Sequence, residues 1–309
     1  PARVARRPVH GVLLLDKPRG MSSNAALQKV KWLLRADKAG HTGTLDPLAT
    51  GLLPLCFGAA TKFSQVQLDA DKTYLATLAL GATTTTGDAE GEVLRTRPVD
   101  VTPEQIDAVI AQHTGPQRQT PPMHSALKHE GRALYEYARA GISVERAARD
   151  IVVHRIDKVE QQGATLTLRV VCSKGTYIRT LAEDIGEALG CGAHLAALRR
   201  LATGALRLDD AVTIEQIEPL SDAERLALLA PVELLLDAAP PVRLAPDEAG
   251  RFLSGLRRRT QLNDVPQVRV YGPEPRAFLG TAHITGHELI PDRLLSPLEL
   301  QQILGTTSS

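Results

Sequence analysis

Aromatic residues, cysteines and long apolar runs are all scarce in this chain. Phe, Trp and Tyr make up only 3% of its 309 residues, so the core must be aliphatic. The three cysteines (Cys56, Cys172 and Cys191) are far apart and form no C-x-x-C pair, which argues against a disulfide framework and a cysteine zinc site. No apolar run reaches the roughly 18–20 residues of a membrane span, and no signal-peptide pattern follows the basic start. We therefore expect a soluble, cytoplasmic protein with no membrane-spanning segment.

The rest of the composition is that of an ordinary globular protein. Hydrophobic residues account for 43% and charged residues for 23% of the chain. A chain of this length favours one large domain or two smaller ones, and it can bury a sizeable core without disulfides or metals.

Charge is distributed unevenly along the chain, although the formal net charge is only +1. Residues 1–40 contain nine basic and two acidic residues, whereas residues 208–238 contain eight acidic residues and one basic residue. Arginine is much commoner than lysine, and its planar guanidinium suits phosphate contacts and stacking on bases. A GC-rich genome would raise the arginine content as well. The asymmetry indicates an anionic partner without distinguishing nucleic acid, nucleotide and membrane surface.

Periodicity and capping residues predict alternating strands and helices. Apolar runs or alternation predict strands at 11–15, 74–80, 164–172, 267–271 and 278–284. Helix-start signals stand at Ser22 or Ser23, at Thr102, before Ile178, at Thr213 and at Ser221.

Two segments divide the chain. Residues 116–149 carry six Arg or Lys residues interleaved with His and Tyr, which predicts an inserted, partly exposed element. Residues 237–241 (Asp-Ala-Ala-Pro-Pro) are typical of a linker. We therefore expect one domain over 1–238 and a small second domain over 242–309.

The most informative stretch is the glycine-rich segment 40–51, with Asp46 followed by Pro47. Asp-Pro commonly opens a turn. His41 and Asp46 could also be metal ligands, although no further His or Asp cluster lies near them in the sequence. A phosphate-binding loop would need a Lys that this segment lacks. The remaining interpretation is that Asp46 is a carboxylate nucleophile in an otherwise apolar pocket.

This segment resembles the signature of the bacterial tRNA pseudouridine synthase B family. Four further blocks resemble that family in the same order: residues 11–24, 71–74, 173–179 and 192–201. The resemblance covers roughly residues 10–205, and the tail from 242 is only loosely similar to the family's small RNA-binding β domain of the PUA type.

The resemblance implies an α+β fold. Its catalytic domain (1–238) has a mixed, mostly antiparallel sheet with flanking helices, and the basic segment 116–149 is similar to the family's mobile thumb. The small PUA-like domain follows over 242–309. The implied partner is the T stem-loop of tRNA, and we expect a monomer.

The same resemblance implies that Asp46, Tyr74, Tyr177 and Arg179 are catalytic. Asp46 matches the family's nucleophile and Tyr74 its base-stacking aromatic, although Tyr74 could be a core residue. Arg179 would hold Asp46 ionised, or contact a phosphate instead. Tyr177 would remove the C5 proton, or only pack.

Four more residues are assigned to substrate binding by resemblance: His41, Lys17, Leu198 and Lys174. His41 fits a wedge that fills the space left by a flipped base, or it is an ordinary loop histidine. Leu198 lines the pocket, and Lys17 and Lys174 belong to the first and third family blocks. No metal or organic cofactor is implied.

The implied function is isomerisation of uridine 55 in the T loop of tRNA to pseudouridine after base flipping. Whether Asp46 attacks C1′ or C6 of the nucleotide, or acts by a glycal route, stays open. The alternative is a non-catalytic RNA-binding or tRNA-folding protein on the same scaffold, which would not need the four catalytic residues. A carboxylate glycosidase would need a second acid paired with Asp46, and the sequence offers none.

Overall fold

The computed structural model describes residues 3–125, 127–273 and 277–306. The ends of the two predicted domains (1–2 and 307–309) and residues 126 and 274–276 lie outside the described residues. The strands are β1 (Gly11–Lys17), β2 (Ala39–His41), β3 (Thr50–Phe57), β4 (Lys72–Leu80), β5 (Ala82–Thr84), β6 (Val93–Thr96), β7 (Gly115–Gln119), β8 (Lys128–His129), β9 (Arg132–Ala133), β10 (Arg149–Gln162), β11 (Thr165–Cys172), β12 (Ala193–Thr203), β13 (Leu206–Arg207), β14 (Pro241–Arg243), β15 (Arg258–Arg259), β16 (Val265–Tyr271), β17 (Phe278–Thr285) and β18 (Glu288–Leu294).

The α-helices are α1 (Ser23–Leu33), α2 (Ser64–Asp69), α3 (Pro103–Gln112), α4 (Leu134–Arg139), α5 (Ile178–Ala188), α6 (Ile214–Ile217), α7 (Asp222–Ala227), α8 (Pro246–Leu253) and α9 (Pro297–Thr306). Turns of 3-10 helix lie at Gly58–Phe63, Leu208–Asp210 and Val232–Leu236.

A large mixed sheet forms the centre of the larger predicted domain. Its strands follow the order β1-β3-β12-β4-β11-β10-β7, with β2 on β3 and β13 on β12. The pairing of β12 with β3 is parallel, and the other strand pairs of this sheet are antiparallel. This arrangement confirms the predicted α+β class with a mixed, mostly antiparallel sheet.

Helices cover the sheet with their apolar faces, and α1 and α3 begin at well-capped ends. The Ser22 side chain caps α1, and Thr102 and Gln105 form a complete capping box at α3, as the sequence predicts. Residues of α3 and α5 pack with β4 and β11 in one aliphatic core. Residues of α1 and α6 pack with β1 and β3 in another core. Tyr74 on β4 and Leu198 on β12 pack against both cores.

The predicted insertion begins and ends in the sheet. Its first residues belong to β7, which pairs with β10, and Gln119 lies opposite Arg149 in that ladder. The polar residues up to Gln119 are fixed in the edge strand β7, so the part of the insertion that leaves the sheet is 120–148. Within it, the hairpin β8–β9 and helix α4 bury Leu134 and Tyr137, so the segment is partly structured.

The residues from Pro241 onward form a second sheet, with the order β14-β16-β17-β18-β15. It packs on the first sheet, because Tyr271 and Phe278 share an apolar cluster with Val12, Leu52 and Phe63. The rings of Phe63 and Phe278 pack edge to face, with their centroids 5.3 Å apart.

Among the described helices, none has the length and apolarity needed to cross a membrane.

Candidate active site

The loop that carries Asp46 connects β2 to β3 and is tied to the start of α1. The buried Ser23 hydroxyl donates to the Leu45 carbonyl at 2.8 Å and accepts the Leu45 N–H at 2.8 Å. The Gly20 N–H donates to the Pro47 carbonyl at 2.7 Å. These bonds fix the backbone on both sides of Asp46, whose side chain remains 52% exposed.

Arg179 lies beside Asp46, in the first turn of α5. Its Nε is 3.5 Å from Asp46 Oδ2, and its side chain is only 8% exposed. Nη1 donates to the Thr86 carbonyl at 3.3 Å, and Nη2 donates to the His124 carbonyl. A cation in the first turn of a helix opposes the helix dipole, so the pairing with a carboxylate offsets an unfavourable position.

The two predicted tyrosines contribute to one cavity with Asp46. Tyr74, on β4, packs against both of the apolar cores that hold the helices on the sheet. Burial raises the pKa of Tyr74, and the nearby Arg200 charge opposes the shift. Burial also raises the pKa of Tyr177, which stands at the start of α5. Both phenols are therefore neutral near pH 7.

The cavity has a volume of about 430 Å³. Six of the eight predicted site residues line it: Asp46, Tyr74, Lys174, Tyr177, Arg179 and Leu198. The Lys174 ammonium also lies 3.0 Å from Asp69 Oδ1. Ser125 and Leu127, from the insertion, complete part of the wall.

Lys17 and His41 do not line this cavity. Lys17 is fully buried, and its Nζ donates to the Pro18 and Met21 carbonyls at 2.7 and 2.6 Å, so it supports the loop before α1. Burial lowers the pKa of Lys17 to about 8, although the Asp46 charge opposes the shift. His41 is half-buried on β2, and burial together with the Arg200 charge lowers its pKa.

Two buried cations in the cavity wall were missed by sequence reasoning. Arg200 is 1% exposed and donates to the Leu52 carbonyl at 2.8 Å and the Gly43 carbonyl at 3.1 Å. Lys72 donates to the carbonyls of Gln67, Leu68 and Ala70 at 2.9, 2.7 and 2.6 Å.

Burial and the Arg200 charge lower the pKa of Lys72 to about 8. The alternation of side chains along a strand could have identified both residues as part of the site. Lys72 stands two residues before Tyr74, and Arg200 stands two residues after Leu198.

The described ranges contain no group of three or more His, Cys, Asp or Glu side chains that could hold a metal ion. The arrangement instead offers one carboxylate paired with a fixed guanidinium, in a cavity lined by neutral tyrosines, apolar side chains and the cations Lys72, Lys174 and Arg200. Such a site suits nucleophilic attack on a flat, neutral substrate group.

Solved structures share this fold. The crystal structure of a Cbf5-Nop10-Gar1 complex contains a chain with a TM-score of 0.72 and 24% identity, covering 94% of this chain and 87% of that chain. A structure of an H/ACA RNP bound to a substrate RNA containing 2′-deoxyuridine gives a TM-score of 0.70 at 23% identity, covering 93% and 86%.

Sequence relatives and family models extend the comparison. The tRNA pseudouridine synthase B of Verminephrobacter eiseniae is 60% identical, covering 98% of this chain and 94% of that protein. The protein of the same name from Chromobacterium violaceum is 52% identical, covering 95% and 97%.

The model for the TruB family pseudouridylate synthase N-terminal domain matches residues 31–178. The model for the tRNA pseudouridylate synthase B C-terminal domain matches 179–237, and that for the pseudouridine synthase II TruB C-terminal region matches 240–295.

The sequence relatives and the family models together define a pseudouridine synthase, which is an isomerase. Within that class, the chain belongs to the TruB family. The resemblance and the enzyme class predicted from the sequence are confirmed.

Proposed function

We propose that this protein isomerises uridine 55 in the T loop of tRNA to pseudouridine, with Asp46 as the nucleophile. The names of the relatives make tRNA the expected substrate. The observation that carries the proposal is the half-exposed Asp46 carboxylate, 3.5 Å from a buried guanidinium at the edge of a cavity.

The reaction breaks the N1–C1′ bond of the nucleotide and joins C5 to C1′. C5 loses its proton and N1 gains one, so the product is an isomer of the substrate. A carboxylate can attack C1′ or C6 and so divide one difficult step into two easier ones. The neighbouring Arg179 guanidinium pairs with the Asp46 carboxylate and orients it at the cavity.

The target base must leave the T-loop stack to reach Asp46. Base flipping costs a few kcal/mol, which stacking against protein groups offsets. We assign Tyr74 and Leu198 to the walls that receive the base, because both line the cavity. His41, neutral and outside the lining, is assigned to the space that the base vacates.

The proton on C5 must leave after the new bond has formed. A phenol whose pKa is raised is scarcely ionised at neutral pH, so Tyr177 is not a ready base. On the C1′ route, formation of the C5–C1′ bond releases Asp46 as a free carboxylate, and we assign this proton to Asp46 on that route. Tyr177 then packs at the edge of the turned base.

Exposed cations on the insertion provide the contact with RNA. Arg118, Lys128, Arg132 and Arg139 are all exposed. Phosphate contacts of this kind fix the orientation of a folded loop and read its shape and backbone. We propose that one T stem-loop binds one copy of the chain in this way.

The Asp46→Asn variant tests the catalytic assignment. An amide nearly preserves the shape of the side chain but cannot supply the nucleophile. Conversion should therefore be abolished, while tRNA affinity stays within about tenfold, or ~1.4 kcal/mol. Residual turnover above a few per cent would identify another nucleophile. A wild-type protein that binds tRNA without converting it would support the non-catalytic alternative.

A further inference from the structure

Gln119 makes an unusual pair of hydrogen bonds to a single residue of the active site. Its Nε2 donates to the Tyr177 carbonyl at 3.0 Å, and its Oε1 accepts the Tyr177 N–H at 2.7 Å. Gln119 is only 5% exposed. The side-chain amide thus contacts both polar groups of the Tyr177 backbone, as a neighbouring strand does in an antiparallel ladder.

The backbone of Tyr177 is where α5 begins. Tyr177 is extended, with φ −97° and ψ 111°, and its side chain makes no capping hydrogen bond. Its carbonyl also accepts the Leu181 N–H at 3.1 Å, in the first turn of the helix. Arg179 follows two residues later, so the junction held by Gln119 sets the direction of both the Tyr177 phenol and the Arg179 guanidinium.

Gln119 also stands at the root of the insertion. The chain leaves the sheet after Gln119 and returns at Arg149, its partner in the ladder. Five residues further on, the His124 carbonyl accepts a hydrogen bond from Arg179 Nη2. One short segment therefore contacts the first turn of α5 twice, once through Gln119 and once through His124.

We propose that Gln119 is a positioning residue for the reaction: its amide locks the Tyr177 peptide and thereby aligns Arg179 with Asp46. This inference rests on the proposed function and deepens it. An amide is suited to the task because it offers one donor and one acceptor side by side. A carboxylate at this position could accept the N–H but would place negative charge against the Tyr177 carbonyl. A methionine would offer neither bond.

The test compares Gln119→Met and Gln119→Glu with the wild type and with the control Gln117→Met. Gln117 lies on the same strand, and within the described part of the chain its amide bonds to the carbonyls of His113 and Gly115 and not to α5. For each variant, the single-turnover rate at saturating tRNA, the tRNA Kd and the unfolding midpoint are measured.

We expect Gln119→Met to lower the single-turnover rate on the order of a hundredfold, because a shift of about 1 Å in catalytic groups has effects of this size. Its Kd should stay within about threefold of the wild type. The control Gln117→Met should keep a single-turnover rate within about threefold of the wild-type rate.

The pH dependence of the Gln119→Glu rate distinguishes a positioning role from a purely structural one, because a purely structural role predicts no change with pH. A protonated carboxyl group regains an O–H donor, and burial raises carboxyl pKa values. The rate of Gln119→Glu relative to the wild type should therefore rise as the pH is lowered from 8 to 6, at a temperature where both are fully folded.

The outcomes separate the two proposals. If the wild type forms no pseudouridine in tRNA, the proposed function is wrong, and the role of Gln119 is wrong with it. If the wild type is active and folded Gln119→Met reacts at the wild-type rate, only the positioning role is overturned. Should Gln119→Met fail to fold, a pH-independent rate ratio for Gln119→Glu overturns that role instead.

Discussion

The three nitrogens of the Arg179 guanidinium contact three different segments of the chain. Nε faces Asp46, Nη1 bonds to the carbonyl of Thr86, and Nη2 bonds to that of His124. Only a planar, forked cation can meet three partners in these directions. The charge beside Asp46 is therefore held in a fixed orientation by the two backbone carbonyls.

We expect Arg179→Lys to slow the chemical step nearly as much as Arg179→Ala. The lysine keeps the charge but cannot reproduce the three directed contacts, so losses on the order of a hundredfold or more are expected for both variants. Single-turnover rates and tRNA Kd values measure the effect, with Arg155→Ala as a control because Arg155 is exposed and pairs with Asp157. An unchanged rate with weakened binding would show that Arg179 contacts phosphate.

The protonation state of Tyr177 leads to a second prediction at the level of single residues. Burial raises the pKa of the phenol, so the hydroxyl stays protonated throughout the range from pH 6 to 9. The ratio of the wild-type rate to the Tyr177→Phe rate should therefore be constant over that range. A ratio that rises with pH, measured in single-turnover reactions, would identify the phenolate as the base that acts on C5.

At the level of secondary-structure elements, the sequence predicts helix starts and strand faces best where they depend on residues close together in the chain. The capping box of Thr102 and Gln105 and those that begin α6 and α7 are satisfied by residues three positions apart. The face of β4 that carries Tyr74 follows from simple alternation. Such features depend on neighbours in the chain, so they can be read without knowing the fold.

Elements whose polar residues find distant partners could not be predicted in this way. Strand β12 contains Arg199 and Arg200, which suggest an exposed segment. In the structure, Arg199 pairs with Asp16, and Arg200 bonds to Leu52 and Gly43. Strand β10 was missed for a similar reason, because charged residues along it obscure the apolar positions.

Strands β3 and β12 approach each other closely at Gly51. Gly51 has φ +104°, and a Cβ atom there would overlap the backbone oxygen of Arg200. Gly51 and Arg200 are also paired in the parallel ladder between these strands. Glycine is required here both for its conformation and for its lack of a side chain.

We expect Gly51→Ala to lower the free energy of unfolding by about 2–3 kcal/mol or more, because it combines strain at positive φ with a backbone clash. Gly40→Ala is the matched control, since nothing lies within 4 Å of the added Cβ atom and its φ is not in the left-handed region. Denaturant unfolding of both variants gives the comparison. Equal stabilities would mean that β3 and β12 separate easily.

At the level of the whole molecule, the charge asymmetry of the sequence is partly internal. Arg7 pairs with Asp222 at 2.6 Å, Arg35 lies 3.8 Å from the same carboxylate, and Lys29 lies 4.0 Å from Glu218. Some of the basic N-terminal block therefore contacts the acidic segment instead of being free for RNA. This pairing could not be read from the sequence, since it depends on the packing of α7 against the N-terminal segment.

The two sheets share one apolar cluster, which suggests that they unfold together. Phe278→Ala removes a side chain that packs on Phe63 across the boundary, and large-to-small changes of this kind cost about 3–5 kcal/mol. We expect a single thermal transition at a lower midpoint, while the exposed-site control Leu262→Ala leaves the midpoint unchanged. Calorimetry that resolves two transitions, only one of them shifted, would show that the sheets unfold independently.

Site-resolved mapping of pseudouridine tests the proposed function most directly. Unmodified tRNA and an isolated T-arm hairpin are incubated with the wild-type protein and with Asp46→Asn, and every uridine is scored. We predict pseudouridine at position 55 in both RNAs with the wild type, and none with Asp46→Asn. Pseudouridine at another position, or its formation by Asp46→Asn, would contradict the proposal.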